Sequence, residues 1–361
     1  VIPAAAYIEL DIKALRHNVD RVRELAPKSN IIAVIKANAY GHGLERVADN
    51  LAAHVDAFAV ARIDEALRLR AANIQRRILI LQGFSQSDEL LLMQRNQLEA
   101  VIHSEQQVEL LEAANLSAAL PVWIKIDTGM NRLGFRPEQF TIMLQRLQQC
   151  SNVQAEIKVM THFANADDLQ DDKTTRQLQL FKATIKHYAG QTSSANSAAI
   201  IAWPETCQDW VRPGLMLYGA SPILEQTAQQ HDLLPVMNFY SRIIALKQLK
   251  KGEAVGYGGS WVAAKDTLLG VISVGYGDGY PRYAKPGTPV LINKQRIPLV
   301  GRVSMDMITV DLSGHTDIIP GDQALLWGAG LPVEEIAGYA DTIAYTLLCG
   351  ITRRVQVLVK D

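Results

Sequence analysis

Through the first two thirds of the chain, short apolar runs alternate with stretches whose apolar residues recur every three or four positions. Ile31 to Ile35 is continuous, and Asp56 to Val60, Ile78 to Leu81, Leu98 to Ile102, Val122 to Ile126 and Ile157 to Met160 resemble it, each nearly all apolar. Their length and nearly all-apolar character predict strands buried on both faces. Ahead of the first run, Ile12, Leu15, Val19, Val22 and Leu25 line one face of a helix that Pro27 must end. Alternating helices and doubly buried strands require parallel pairing, in an open doubly wound sheet or a closed (β/α)8 barrel. Residues 1–232 come close to the ~250 that a (β/α)8 barrel usually needs, so the expected fold is α/β with a TIM-type barrel.

Beyond His231 the pattern changes. Arg242 to Lys247, Leu268 to Val274, Pro289 to Ile292, Met307 to Asp311, Ala324 to Trp327 and Val355 to Val359 are short β-rich runs separated by glycine and proline turns. Helical spacing returns only around Val333 to Tyr339 and Ile343 to Leu348. The expectation is a mainly β domain over residues 233–361. No internal repeat or low-complexity tract is evident.

Composition narrows the functional classes. The 361 residues are 48% hydrophobic and 20% charged, typical of a water-soluble globular chain. With 36 basic and 37 acidic residues the formal net charge is -1, so no global field attracts nucleic acid or an anionic membrane. No apolar run is long enough for a membrane span, and Val1 to Leu10 lacks the pattern of a signal peptide, which points to the cytoplasm. Cys150, Cys207 and Cys349 are too scattered for a disulfide framework or a zinc site, and the histidines show no ligand spacing, so no metal is expected.

In a barrel, functional groups gather where strands end, which directs attention to the residue after each apolar run. Lys36 follows Ile31 to Ile35 directly, within Lys36-Ala37-Asn38-Ala39-Tyr40-Gly41-His42-Gly43. A lysine at such a place ordinarily extends to solvent. Desolvation would instead make it a nucleophilic amine, Tyr40 adds a hydroxyl, and Gly41 and Gly43 permit a close backbone turn. His162 follows Ile157 to Met160, and taken singly would be a satisfied structural residue.

The Lys36 segment resembles the cofactor-lysine motif of alanine racemases. The likeness extends through Lys125-Ile126-Asp127-Thr128-Gly129-Met130-Asn131-Arg132, Thr161-His162-Phe163-Ala164, Asn196-Ser197-Ala198-Ala199 and Val211-Arg212-Pro213-Gly214. It continues through Val255-Gly256-Tyr257-Gly258-Gly259, Gly275-Tyr276-Gly277-Asp278-Gly279-Tyr280 and Gly301-Arg302-Val303-Ser304-Met305-Asp306-Met307. Any one of these is weak, but together and in order they are highly specific.

The resemblance implies interconversion of L- and D-alanine, supplying D-alanine to bacterial peptidoglycan or acting in alanine catabolism. It implies pyridoxal 5′-phosphate held as a Schiff base on Lys36, with Tyr40, His162, Asn196, Ser197, Arg212, Gly214, Leu215 and Tyr345 binding the cofactor. Inverting a stereocentre takes one base on each face, which the resemblance assigns to Lys36 and Tyr257. An ordinary phenol is a poor base near neutrality, so cationic or hydrogen-bonding neighbours are required, a place the resemblance gives to His162 and Arg212. Arg212 would meet the cofactor's ring nitrogen without yielding its proton. Arg132 and the backbone N–H of Met305 would take the substrate carboxylate, Tyr276 and Tyr345 would narrow the entrance, and Lys125 is a candidate for carbamylation beside Arg132. Asp278 and Asp306 suit turn or hydrogen-bonding roles. In the family the tyrosine base comes from the other subunit, which implies a homodimer with shared sites. The rival readings are a broad-specificity racemase, a basic amino-acid decarboxylase, whose ring-nitrogen partner is usually acidic, and a non-catalytic pyridoxal phosphate-binding barrel, which would lack the β domain.

Overall fold

The computed structural model describes residues 5–315 and 317–360. By internal contacts the chain divides into two compact units. One comprises Asn18–Leu217 with Ser221–Glu225, and the other the residues up to His17, Tyr218–Ala220 and the chain from Gln226 onward.

The first strand, β1 (Tyr7–Asp11), belongs to the second unit despite its early position. The first unit is a closed parallel barrel of β2 (Asn30–Val34), β3 (Ala57–Val60), β4 (Arg77–Ile80), β5 (Leu98–Ile102), β6 (Val122–Lys125), β7 (Lys158–Met160), β8 (Thr192–Asn196) and β9 (Trp210–Arg212). Closure comes from the pairing of β2 with β9, Ile31 opposite Val211. The expected TIM-type barrel is therefore present, and six of its strands fall where the apolar runs place them. The other two, β8 and β9, were not marked by hydrophobic pattern. In β8 the sequence is Thr192-Ser193-Ser194-Ala195-Asn196, polar yet buried apart from the half-exposed Asn196. Each of its hydroxyls is satisfied: Thr192 Oγ1 donates to Asp209 Oδ2 at 3.0 Å, Ser193 Oγ to the Trp210 carbonyl at 2.8 Å, and Ser194 Oγ to the Thr206 carbonyl at 2.7 Å. Paired in this way, polar groups can be buried without a large desolvation loss.

The amino end of the barrel is filled by charge and aromatic rings rather than aliphatic side chains. Buried Glu99 accepts from Arg77 Nε and, at 2.8 Å, from Trp123 Nε1. Arg77 lies 5.2 Å from the Trp210 ring centre, and Lys158 lies 5.7 Å from that of Trp123. The two indoles meet edge to face at 5.9 Å.

The second unit is mainly β, as expected. Its further strands are β10 (Met237–Leu249), β11 (Ala254–Val255), β12 (Trp261–Val262), β13 (Thr267–Ile272), β14 (Pro289–Ile292), β15 (Gln295–Val300), β16 (Ile308–Asp311), β17 (Gln323–Trp327) and β18 (Gln356–Lys360). An eight-stranded sheet runs β13-β16-β15-β14-β17-β10-β1-β18, and a second pairing of β10 with β13 closes six of these strands on themselves. The long β10 serves both neighbours through a register shift between Ile243 and Ala245. Two helices, Val333–Tyr339 and Ala344–Cys349, lie where helical spacing was seen.

Candidate active site

Parallel strands all end on one side of a barrel. Lys36 begins directly after β2, Lys125 is the last residue of β6, His162 follows β7, Asn196 ends β8 and Arg212 ends β9. The sequence-predicted lysines, histidine and arginine of the first unit are thus brought to the carboxyl end.

Lys36 opens a segment of unusual backbone. Ala37, Asn38, Ala39 and Tyr40 all have φ between 51 and 56°, a left-handed turn made of four non-glycine residues, and Gly41 follows at φ 85°. Such a conformation costs roughly 1–2 kcal/mol per L-residue and persists only where surroundings enforce it. Three groups do so here. Buried Glu65 accepts from Ala37 N at 2.7 Å through one oxygen, and from Ala61 N at 2.9 Å and Arg62 N at 3.2 Å through the other. Asn38 Oδ1 accepts from Leu44 N at 3.0 Å. His42, fully buried, turns Nδ1 to the carbonyls of Tyr40 and Ala39 at 2.9 and 3.1 Å, so that this nitrogen carries the proton. Burial holds the His42 imidazole down to about 4, and it stays neutral.

Arg212 is buried, with Nη1 donating to Ser193 Oγ at 2.5 Å and Nη2 to the carbonyls of Thr161 at 2.5 Å and Ser194 at 3.3 Å. Burial lowers its guanidinium to about 10, which leaves it cationic at neutral pH. Lys125, 8% exposed, is lowered to about 8, first by burial and then by Arg212, Arg132 and Lys36, while Asp127 opposes the shift. His162 is driven well below its ordinary value by burial and by Arg212, Lys125, Arg132 and Lys36, so its ring is neutral. Four cations converging on one barrel mouth make a field suited to an anionic ligand.

Arg132 is exposed on the loop after β6. Asp127 turns that loop by accepting from Gly129 N and Asn131 N at 2.9 and 3.0 Å. Ser197 Oγ accepts from Gly214 N at 2.7 Å and Met216 N at 3.4 Å. A Cβ on Gly214 would stand 2.6 Å from the Tyr40 hydroxyl. Tyr40, Ser197, Gly214 and the adjoining Leu215 therefore form a close cluster of neutral polar groups, in which a side chain at 214 would displace the Tyr40 hydroxyl. Asn196 caps the helix Ser197–Ala202, its Oδ1 accepting from Ala199 N at 3.0 Å.

In the second unit, three loops and the helix Ala344–Cys349, which contains Tyr345, carry the remaining candidates. Tyr257 lies in the turn between β11 and β12 and is 69% exposed. The strands flanking the turn anchor it, Val255 belonging to a small core with Leu249, Ala263, Leu269 and Val300 and Trp261 packing against that core. A Cβ on neighbouring Gly258 would lie 3.1 Å from the Arg302 guanidinium, next to the Met305 loop. That loop is tied to the Tyr276 loop by Tyr276 N donating to the Ser304 carbonyl at 3.1 Å and Gly277 N to that of Met305 at 2.9 Å. Arg354 bridges both, with Asp278 at 2.9 Å and Asp306 at 2.8 Å. Both aspartates thus hold loops together. Tyr276, Met305 and Tyr345 are exposed.

Sequence reasoning did not single out Glu65, Ser193 or Gln177, although Ser193 and Gln177 contact Arg212 and His162, and Glu65 holds the backbone of Ala37 next to Lys36. The signal for Glu65 was its position as the third residue of a helix, where a carboxylate reaches back to the preceding amides.

Comparison with known proteins agrees with this arrangement. Residues 10–222 match the N-terminal domain of alanine racemase, and residues 236–359 match the C-terminal domain. The chain is 48% identical to the alanine racemase of Vibrio cholerae over 98% of its length and 97% of that protein's. It is also 48% identical to the biosynthetic alanine racemase of Escherichia coli O6:H1, covering 99% of each. The crystal structure of the biosynthetic alanine racemase from Pseudomonas aeruginosa superposes with a TM-score of 0.96 at 41% identity, covering 100% of both chains. The chain belongs to the alanine racemase family.

Proposed function

We propose that this chain interconverts L- and D-alanine as a two-base racemase, with pyridoxal 5′-phosphate anchored on Lys36. The observation that carries the reading is the strained turn after Lys36, held at the same barrel end as buried cationic Arg212 and neutral His162. The donor set fits the cofactor. Neutral hydroxyl and amide donors at Tyr40, Ser197, Gly214 and Leu215 suit its phosphate, and Tyr345 is the further phosphate ligand that the family resemblance implies. Arg212 suits its ring nitrogen. When bound, pyridoxal phosphate supplies the electron sink that makes an amino-acid α-hydrogen removable.

The protein's own work is then positional. Arg132 and the Met305 N–H hold the substrate carboxylate, the guanidinium by two parallel hydrogen bonds. The Lys36 amine takes or returns a proton on one face of the α-carbon, and the Tyr257 phenol does so on the other. His162 is neutral and accepts or donates without adding charge. Arg212 stays protonated and does not pass its proton on, which limits the side reactions that a protonated ring would promote. The same residue disfavours a basic amino-acid decarboxylase, where an acidic partner is expected. Tyr276 and Tyr345 narrow the entrance and favour a small side chain, although a hydrophobic pocket discriminates one added group by only about 1–3 kcal/mol. Lys125, carbamylated, would steady Arg132.

The β domain, residues 233–361, supplies Tyr257 and Met305 to the barrel of a second copy. The exposure of Tyr257, Tyr276, Met305 and Tyr345 in one chain supports a partner that covers them. The described residues contain no helix long and apolar enough to cross a membrane. A cytoplasmic dimer supplying D-alanine for peptidoglycan accords with the two similar proteins named biosynthetic.

The test is an absorbance spectrum of cofactor-loaded protein before and after borohydride, with D-alanine formation measured in parallel. A visible band abolished by borohydride, lost in Lys36→Ala, and racemisation of alanine are expected. Mixing Lys36→Ala and Tyr257→Phe subunits should restore activity in hybrid sites where both residues are intact. No band and no racemisation would overturn the reading, and absent rescue despite proven subunit exchange would overturn shared sites.

A further inference from the structure

We propose that Gln177 is a positioning residue that fixes His162 and Arg212 against the cofactor ring. The inference rests on the functional reading above, in which these two residues face pyridoxal phosphate. Gln177 lies on the outer helix Lys173–Thr184, yet is only 2% exposed. Its Oε1 accepts from Ala164 N at 2.9 Å, and its Nε2 donates to the His162 carbonyl and to Thr128 Oγ1, both at 3.3 Å. One amide thereby ties the loop after β6 to the loop after β7. Gly129, at φ 135°, lies against the Gln177 side chain in a backbone conformation that glycine adopts freely.

The contacts continue inward. Thr128 Oγ1 and Thr161 Oγ1 are 2.8 Å apart, and Thr161 Oγ1 donates to the Ile126 carbonyl at 2.9 Å. A hydroxyl has one proton. Thr161 spends its proton on Ile126, so Thr128 must donate to Thr161 and accept from Gln177. The direction of every bond from Gln177 to Ile126 follows. The Thr161 carbonyl in turn accepts from Arg212 Nη2. Gln177 is the outer end of a buried chain whose inner end aims the guanidinium, and it also holds the backbone of His162.

The amide is required chemically. Ala164 N can only donate and the His162 carbonyl can only accept, so the position needs one acceptor and one donor. A leucine has neither, and a carboxylate would set oxygen against the His162 carbonyl.

The experiment compares wild type, Gln177→Leu, Thr161→Val and the double variant, reading the affinity of apoprotein for pyridoxal phosphate by fluorescence quenching and kcat and KM for alanine separately. A network of this kind is expected to lose about tenfold in cofactor affinity when broken at either point, the size of one buried hydrogen bond. kcat should fall more than KM, and the double variant should be little worse than either single one. If Gln177→Leu yields no folded protein, Gln177→Glu, which keeps the acceptor for Ala164, is read in its place with the same expectation. Cofactor affinity and kcat equal to wild type, or losses that simply add in the double variant, would overturn the proposal. Failure of wild type itself to bind pyridoxal phosphate would instead overturn the functional reading.

Discussion

Glu65 offers a quantitative test of how the Lys36 turn is held. Its carboxylate, 6% exposed, accepts three backbone N–H groups, and only one of them, from Ala37, is outside its own helix cap. In Glu65→Gln the amide oxygen can serve one side of the site, and the cap keeps it because two donors converge there. The new NH2 group then faces Ala37 N. Losing a charge-assisted bond costs about 1.5–3 kcal/mol, and a buried donor left unsatisfied adds about 1–3 kcal/mol. Against this, the left-handed turn stores roughly 1–2 kcal/mol at each of its L-residues, so relaxing it returns part of the loss. We expect a net destabilisation of about 2–4 kcal/mol in urea unfolding. Borohydride trapping of pyridoxal phosphate, followed by peptide mapping, should show slowed labelling at Lys36. Ala39→Gly, at φ 54°, should recover about 1 kcal/mol in the Glu65→Gln background, because glycine accepts that conformation freely. A loss below about 0.5 kcal/mol with unchanged labelling of Lys36 would refute the claim that Glu65 enforces the turn.

Three further outcomes follow from the electrostatics. Lys125 is lowered to about 8, so its charged form is penalised in the folded state by roughly 3 kcal/mol below pH 8, and the penalty is relieved as pH rises toward its unfolded value. Lys125→Met should therefore stabilise the protein at pH 7 in bicarbonate-free buffer and lose that advantage above about pH 10.5; denaturation at the two pH values checks it. His42 and His162 are both lowered, so each contributes stability that is lost as pH falls below the unfolded histidine value, for His42 down to about 4. Calorimetry at pH 5 should show net proton uptake on unfolding, reduced in His42→Asn, and an unchanged uptake would count against the assignment. At the opposite end of the barrel, Glu99→Leu leaves buried Trp123 Nε1 without its acceptor and breaks the ion pair of the partly exposed Arg77, and should cost about 1–3 kcal/mol in urea unfolding while leaving KM for alanine unchanged.

The hydrophobic pattern revealed the barrel wherever burial is aliphatic. Strands β2 to β7 are mostly apolar, with charge confined to Arg77, Glu99, Lys125 and Lys158, because their side chains meet the barrel interior on one face and helices on the other. Strand β8 escaped because its buried positions are hydroxyls, and those hydroxyls are what Arg212 and the neighbouring carbonyls need. The missing apolar signal and the functional demand have one cause. Strand β15 was hidden differently, by Pro298, which ordinarily argues against a strand. In the sheet Pro298 stands opposite Pro289 of β14, so the two missing donors coincide at a pair that need not exchange hydrogen bonds. The hairpin between them turns on Asn293 and Lys294 at φ 49 and 65°.

The site divides along the same line. Lys36 and His162 could be located because a barrel collects strand ends and a polar residue after an apolar run is visible without coordinates, whereas Lys125 and Arg212 were reached only through the family resemblance. The residues that hold them act through backbone amides and carbonyls, which sequence does not display. Gln177 nevertheless left a trace. On its helix, Thr174, Gln177, Leu178 and Phe181 form the buried stripe, at the spacing of three and four that marks a core-facing side. A glutamine in such a stripe must find a donor and an acceptor inside the protein or destabilise it. Here both partners belong to loops that carry proposed cofactor and substrate ligands. A buried amide in a core-facing stripe is therefore a sequence-level pointer to the loops that a barrel has to hold in register.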